Sequence, residues 1–232
     1  MSLIEEHCSS LIEALRSAGK PENLVGMARY GIRTDRAFGT GMPFLRSLAK
    51  LSGKNHALAL ALWNTGYLEA RILAALVDVP ADVTPEQMEA WAADFDSWDV
   101  TDQCTNNLFS KTPFAQDKIR AWASRDEEFV KRAAFAMLAS IAHSRTLGDE
   151  VFIAYLPLIE AASNDDRNFV KKAVNWALRQ IGKRNPALRV HAVELAERLA
   201  GSDQRSARWI ARDALRELHS DAVIERMNKR KR

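Results

Sequence analysis

Three aspartates and a tryptophan crowd the segment Asp96-Ser-Trp98-Asp99-Val-Thr-Asp102-Gln-Cys104, the most unusual stretch of the chain. Trp98 and Asp102 are four residues apart, so on a helix they share one face. Asp96 or Ser97 can cap that helix, and acids in its first turn suit the positive end of the helix dipole. A further tryptophan, Trp176, lies in Val170-Lys-Lys-Ala-Val-Asn-Trp176-Ala-Leu-Arg179. Taken alone, each tryptophan reads as core, and Asp99 and Asp102 read as capping groups. Other chemistries have no foothold. There is no Gly-rich phosphate loop, no Gly-x-Ser-x-Gly elbow and no His-Glu-x-x-His. The histidines (His7, His56, His143, His191 and His219) are scattered without ligand spacing, so no metal and no cofactor is expected.

Basic residues form the second candidate, and they recur with a period. Phe129-Val-Lys-Arg132 is followed forty residues later by Phe169-Val-Lys-Lys172, and forty later again by Trp209-Ile-Ala-Arg212. Leu138, Leu178 and Leu218 share one phase, as do Ala134, Val174 and Ala214. A period near forty with two helices per unit is the signature of HEAT and armadillo arrays. Each hairpin has an apolar face that it cannot bury alone, so neighbours stack and supply the core. Lys131 and Arg132, Lys171 and Lys172, and Arg208 and Arg212 fall at matching positions near the start of each second helix. Matching positions line one face of a solenoid, so these cations would form a stripe able to follow a phosphate backbone. Cations at helix N-termini oppose the macrodipole and need another reason to be there. The alternative is a set of solvated helix starts paired with Asp126, Glu127, Asp165 or Asp166 just upstream.

The elements that must position these residues are helices throughout. Apolar residues recur at helical spacing, as at Leu48, Leu51, Leu58 and Leu62, and alternating β-branched runs are nearly absent. Breaks fall at Gly19-Lys20-Pro21, from Gly31 to Pro43, and at Val79-Pro80, Ser110 to Pro113, Gly148 and Asn185-Pro186. The expected fold class is all-α, an α-α superhelix of HEAT-like repeats, read as a single domain over residues 1–232. An earlier unit around Tyr67-Leu-Glu-Ala-Arg71 breaks the forty-residue rule, and Trp98 lies in that irregular stretch. The basic end, Met227-Asn-Lys-Arg-Lys-Arg232, reads as a frayed tail.

Composition bounds the class of protein. With 232 residues and 47% hydrophobic content the chain can bury a core, and no low-complexity block suggests disorder. Cys8 and Cys104 stand far apart without a Cys-x-x-Cys partner, which argues against a disulfide framework or zinc knuckle. The acidic start and the lack of any long apolar run argue against a signal peptide or membrane span, so a cytoplasmic protein is expected. A net charge of +3 is too mild to indicate nucleic acid by itself; its distribution matters more.

Five segments carry a family resemblance: Met27-Ala-Arg-Tyr-Gly-Ile32, Met42-Pro-Phe-Leu-Arg-Ser-Leu-Ala-Lys50, Ser97-Trp-Asp-Val-Thr-Asp102, Phe129-Val-Lys-Arg-Ala-Ala134 and Lys172-Ala-Val-Asn-Trp-Ala-Leu-Arg179. Over roughly residues 20 to 218 the chain resembles the bacterial AlkD-type DNA alkylation repair proteins. The resemblance implies a monofunctional DNA glycosylase of base excision repair. It would release cationic N3- and N7-alkylated purines from double-stranded DNA at the nucleoid, as a monomer, without flipping the lesion into a deep pocket. It also implies site residues. Trp98 and Trp176 would lie against the lesion's deoxyribose, with Asp102 beside the anomeric carbon. Arg132 would contact the backbone next to the lesion, and Arg179 would support phosphate binding. The family's N-terminal aromatic falls on Tyr30, with Met27 as the other alignment.

The residue types suit that chemistry. An alkylated N3 or N7 makes the base a cation and a good leaving group, so no general acid is needed. C1′ gains oxocarbenium character, which one nearby anion stabilises. The competing expectation is a non-catalytic HEAT module that binds distorted or branched DNA, or a protein partner. A scaffold has no need of a carboxylate on a phosphate-binding face, and the set Trp98, Asp102, Arg132 and Trp176 therefore favours the enzyme.

Overall fold

A computed structural model describes residues 2–230 of the chain, with side chains up to Met227. The expectation of a frayed tail at 227–232 concerns side chains that, Met227 apart, lie outside the described residues. Among the described residues there is no strand. The helices of the first half are α1 (Leu3–Ser17), α2 (Pro21–Arg29), α3 (Met42–Ser52), α4 (His56–Asn64), α5 (Leu68–Val77), α6 (Pro85–Ala93) and α7 (Trp98–Asn107). A 3-10 turn at Phe109–Lys111 leads to α8 (Ala115–Trp122), α9 (Glu128–Ile141), α10 (Asp149–Ile153) and α11 (Leu156–Ala162). The chain continues through α12 (Asn168–Gly182), α13 (Pro186–Ala200), α14 (Arg205–Leu218) and α15 (Asp221–Arg230). The fold is all-α and built of HEAT-like helical repeats. It divides into two compact units, one up to Ala115 and one from Gln116.

In the C-terminal unit the forty-residue period is a packing period. Leu138, Leu178 and Leu218 are all fully buried, as are Ala134, Val174 and Ala214, because α9, α12 and α14 present the same face at the same phase. α12 packs against both α9 and α14. The Phe129 and Phe169 rings meet at 5.7 Å, one repeat apart. At the next step Lys171 Nζ lies 5.1 Å over the Trp209 ring. Gly182 is needed for this closeness, since a Cβ there would press into Leu218 and Ala192. Pro186 opens α13 behind Asn185, whose side chain accepts from Leu188 N at 2.9 Å.

The N-terminal unit is less regular. Its helices from α2 to α7 run nine to eleven residues, against fourteen and fifteen for α9, α12, α13 and α14. Short helices bury less apolar surface each, and buried polar clamps supplement the packing. Glu69, 1% exposed on α5, accepts backbone N–H groups from Phe38, Gly39 and Thr40 at 2.7 to 3.1 Å. Asp78, fully buried, bonds His56 Nδ1 at 2.7 Å and accepts from Gln87 Nε2 at 2.8 Å. Each clamp ties a loop to a helix that aliphatic packing alone would leave loose. The core beside them stacks Trp63 on Trp91, with centroids 3.9 Å apart and planes 5° from parallel.

Candidate functional site

The tryptophans separate cleanly by burial. Trp63, Trp91 and Trp122 are at most 3% exposed, so they are core. Trp98 and Trp176 are half-buried, and Trp209 is 36% exposed. The two that the motif singles out are thus not consumed by packing. Trp98 and Asp102 belong to the N-terminal unit; Arg132, Trp176 and Arg179 belong to the C-terminal one.

In the N-terminal unit, α7 begins at Trp98 because Ser97 breaks to extended backbone, with φ −155° and ψ 157°. Ser97 does not cap the helix with its hydroxyl. That group donates to Asp99 Oδ1 at 2.8 Å, while the Thr101 hydroxyl donates to the Ser97 carbonyl at 2.8 Å. The Trp98 indole N–H donates to the Tyr30 carbonyl at 2.9 Å, which ties the ring to the end of α2. Tyr30 itself is 74% exposed. Both sequence candidates at the N-terminus, Tyr30 and Met27, line the same cavity as Trp98.

That cavity has a volume of about 600 Å³, within the range of small-ligand sites. Its walls are mostly apolar: Ile32, Met42, Leu45 and Ile72 join Met27 and the Trp98 ring. The Gly39–Gly41 segment forms another side, held by Glu69 and by Asn23 Nδ2, which donates to the Gly39 carbonyl at 2.7 Å. Gly39 has φ +79°, and a Cβ there would collide with the Lys20 carbonyl oxygen. Helix α7 contributes Trp98, Asp99 and Gln103 to the wall, and Asp102 is not among the lining residues. Asp102 is half-buried, one turn along the same helix from Trp98.

Asp99 is the residue that sequence reasoning undervalued by treating it as a cap. Burial pushes its carboxyl above the ordinary aspartate range, the nearby Asp102 pushes the same way, and the Ser97 hydroxyl and backbone N–H groups only partly oppose them. The two neighbouring carboxyls thus differ in environment. Helical periodicity could have placed Asp99 and Gln103 on one face, but not the walls opposite them.

In the C-terminal unit, the cations at matching repeat positions do not share one environment. Lys172 and Arg212 are exposed and make no ion pair among the described residues. Lys131 is 3.0 Å from Asp165, which Arg167 also engages at 2.6 Å. Together they hold the Asp165 carboxyl down at about 2. The alternative of helix starts paired with acids therefore describes Lys131, though its acid precedes the next repeat's helix. Lys171 lies over Trp209. Arg132 is only 6% exposed, with Nη1 donating to the Phe169 carbonyl at 2.6 Å. A long side chain directed along the stack is covered by the following repeat, so an even stripe of open cations does not form. Arg208 donates to the Ser202 carbonyl at 2.8 Å and remains exposed.

Arg179 likewise has partners within the fold. It sits 2.5 Å from Glu217 and 3.6 Å from Asp213 on α14, and Lys183 meets Glu217 at 2.7 Å. These cations draw the Glu217 carboxyl below its usual range against the effect of burial. Asn175 Nδ2 donates to Asp213 at 2.7 Å. Trp176 stands between Asn175 and Arg179 in sequence, on the half-buried side of α12.

Among solved structures, the chain is similar to a member of a new family of proteins related to the HEAT-like repeat DNA glycosylases with affinity for branched DNA structures. The two share 19% identity and a TM-score of 0.74, covering 82% of this chain and 81% of that one. An engineered protein matches at 15% identity over 94% of this chain and 99% of its own, with a TM-score of 0.40, too low to carry an argument. No curated protein matches the chain. The family model for DNA alkylation repair enzymes matches residues 11–218, and the chain belongs to that family.

Proposed function

We propose that this protein is a monofunctional DNA glycosylase acting on cationic N3- and N7-alkylated purines in double-stranded DNA. The observation that carries the reading is α7. It holds a half-buried tryptophan fixed through its indole N–H and places a carboxylate one turn further on. Membership in the repair family supplies the substrate class.

In the reaction, the bond between C1′ and the alkylated nitrogen breaks, and its electron pair leaves with the base. The base entered as a cation and departs neutral, so no proton need be delivered to it. C1′ becomes oxocarbenium-like, a water oxygen adds to it, and that water's proton passes to solvent, leaving an abasic site. Asp102 stabilises the developing positive charge. At about 4 Å and an effective dielectric near 20, the attraction is on the order of 4 kcal/mol, roughly a thousandfold in rate. Within the N-terminal unit, Trp98 offers an aromatic surface to the deoxyribose and to the cationic base, worth about 1 kcal/mol. Lys172 and Arg212 serve the phosphate backbone, with Lys131, Lys171 and Arg179 in supporting positions.

A second reading is favoured by the structural neighbour's described affinity for branched DNA: a module that binds such DNA without excising a base. Base release separates the two. Purified protein is expected to free 7-methylguanine or 3-methyladenine from methylated duplex DNA. Asp102→Asn should lose most of that release and still bind DNA. Intact, DNA-binding protein that frees no base where a control glycosylase does would sink the enzymatic reading and leave the module.

A further inference from the structure

Helix α12, which carries Lys172 near its start, has a second basic feature at its other end. α12 places Lys172 near its first turn and Lys183 just past its last, about 16 Å apart at 1.5 Å per residue. There, a pocket of about 500 Å³ opens in the C-terminal unit. Its walls come from the loop after α9 (His143, Arg145), the end of α12 (Gln180, Lys183, Arg184) and Arg226 of α15. No carboxylate lines it among the described residues.

The cations of this pocket divide into two kinds. Lys183 and Arg184 have structural reasons to be present. Lys183 pairs with Glu217 at 2.7 Å. Arg184 donates to the carbonyls of Ala142, Ser144 and Leu147 and lies 3.5 Å from Asp149, so it fixes the loop after α9. Both also satisfy the negative end of a helix dipole. Arg145 and Arg226 have neither reason. Both are exposed, and neither has an ion pair or hydrogen bond among the described residues. Arg145 and Arg226 thus add positive charge beside Lys183 and Arg184 that an anion shared among them would neutralise. A guanidinium presents a planar fork of donors that matches phosphate oxygens.

We propose that this pocket binds a backbone phosphate of the second strand of a DNA duplex, the first strand being held at Lys172, near the start of α12, and at the matching Arg212 of α14. The proposal rests on the DNA-binding part of the reading above and is independent of base excision. The spacing argues for the second strand. About 16 Å is several times the ~3.4 Å rise between successive phosphates of one strand. It is of the order needed to pass across a major groove about 12 Å wide, from one backbone to the other.

The test measures affinity of the full-length protein against salt concentration, on a duplex and on one of its strands alone. Arg145→Ala combined with Arg226→Ala should lower the duplex salt slope by about two units and leave single-strand affinity within twofold. Lys172→Ala combined with Arg212→Ala should weaken both. Arg184 is left intact because it holds the loop, and thermal melts confirm that the exposed substitutions leave the fold unchanged. An unchanged duplex slope in the pocket variant overturns the proposal, as does an equal loss on both probes, which would make the pocket part of a single-strand track. Inorganic phosphate, added at matched ionic strength, should displace duplex only at concentrations that also displace it from the pocket variant. Displacement confined to the unsubstituted protein at lower concentration would assign the pocket to free phosphate instead. If the pocket and Lys172/Arg212 variants all bind duplex normally, the DNA-binding reading itself fails, a result distinct from failure of base release.

Discussion

The two units solve the same packing problem differently, and the difference shows where chemistry can live. In the C-terminal unit, long helices repeat one another at forty residues, and the phase-matched Leu138, Leu178 and Leu218 close the core. Such regularity reproduces the apolar side chains along a row, while the cations at matching positions take different surroundings. In the N-terminal unit, shorter helices and clamped loops leave a cavity of about 600 Å³ beside Trp98, and two carboxyls on α7 acquire different surroundings. Repetition closes the core of one unit, and its interruption leaves a cavity in the other.

The comparison breaks first, and hardest, at the carboxyls. Asp102→Asn is expected to lower base release by about a hundred- to a thousandfold, the scale of losing one transition-state electrostatic contact. Asp99→Asn should change it by no more than a few-fold, because the Asp99 carboxyl is already engaged by the Ser97 hydroxyl at 2.8 Å and burial opposes its charge. Single-turnover release at neutral pH distinguishes them. A reversed order would assign the anion to Asp99 and the cavity. Next comes the clamp. Glu69→Ala leaves three backbone N–H groups without their acceptor, a loss of roughly 3 to 5 kcal/mol. At ~2–4 °C per kcal/mol for a chain of this size, the melting temperature should fall by about 10 °C or more. A shift of a degree or two would show that the loop at residues 38–40 is held by packing rather than by Glu69.

How much of this was legible in the sequence follows the same division. The forty-residue period fixed the C-terminal packing phase, because in a stack the same position meets the same neighbour, and Ala134, Val174 and Ala214 are all buried as the phase requires. Charge at repeat positions was less legible. Periodicity gives the direction of a side chain but not what the next repeat places in its way, and Arg132 reaches the Phe169 carbonyl while Lys172 reaches solvent. The pairing of Trp98 with Asp102 on one helix could be read from a spacing of four. The tie from Trp98 to Tyr30 joins residues too far apart in sequence for any local pattern to announce. The same holds for Glu69, which looks like an ordinary helix-surface acid until the loop it binds is in place.

The stripe supplies a smaller test. Lys172→Ala should lower the salt slope of duplex binding by about one unit without changing the melting temperature. Arg132→Ala should do the opposite in proportion, costing stability through the lost bond to Phe169 with a smaller change in slope. Equal slope changes would mean that Arg132 turns outward on DNA.

The smallest expected effect is on acid stability, and it also separates the units. Asp165 is held at about 2, from its usual 3.8, by Arg167 and Lys131. Glu217 is lowered by Lys183 and Arg179. A carboxyl whose folded value is depressed stabilises the fold fully above its unfolded value, and that contribution is lost as pH falls through the folded one. Asp99 has the opposite sign. Its raised value costs stability as pH rises above the ordinary aspartate range, so acidification relieves it. Between about pH 5 and pH 2 the C-terminal unit should therefore lose stability, while protonation of Asp99 partly offsets such losses in the N-terminal unit. Amide exchange followed across that range should show protection falling first in α12 and α14, where Asp165→Asn would flatten the pH dependence and Asp99→Asn would not. Protection lost first in α7 would reverse the assignment and make the buried carboxyls of the irregular unit its acid-sensitive point.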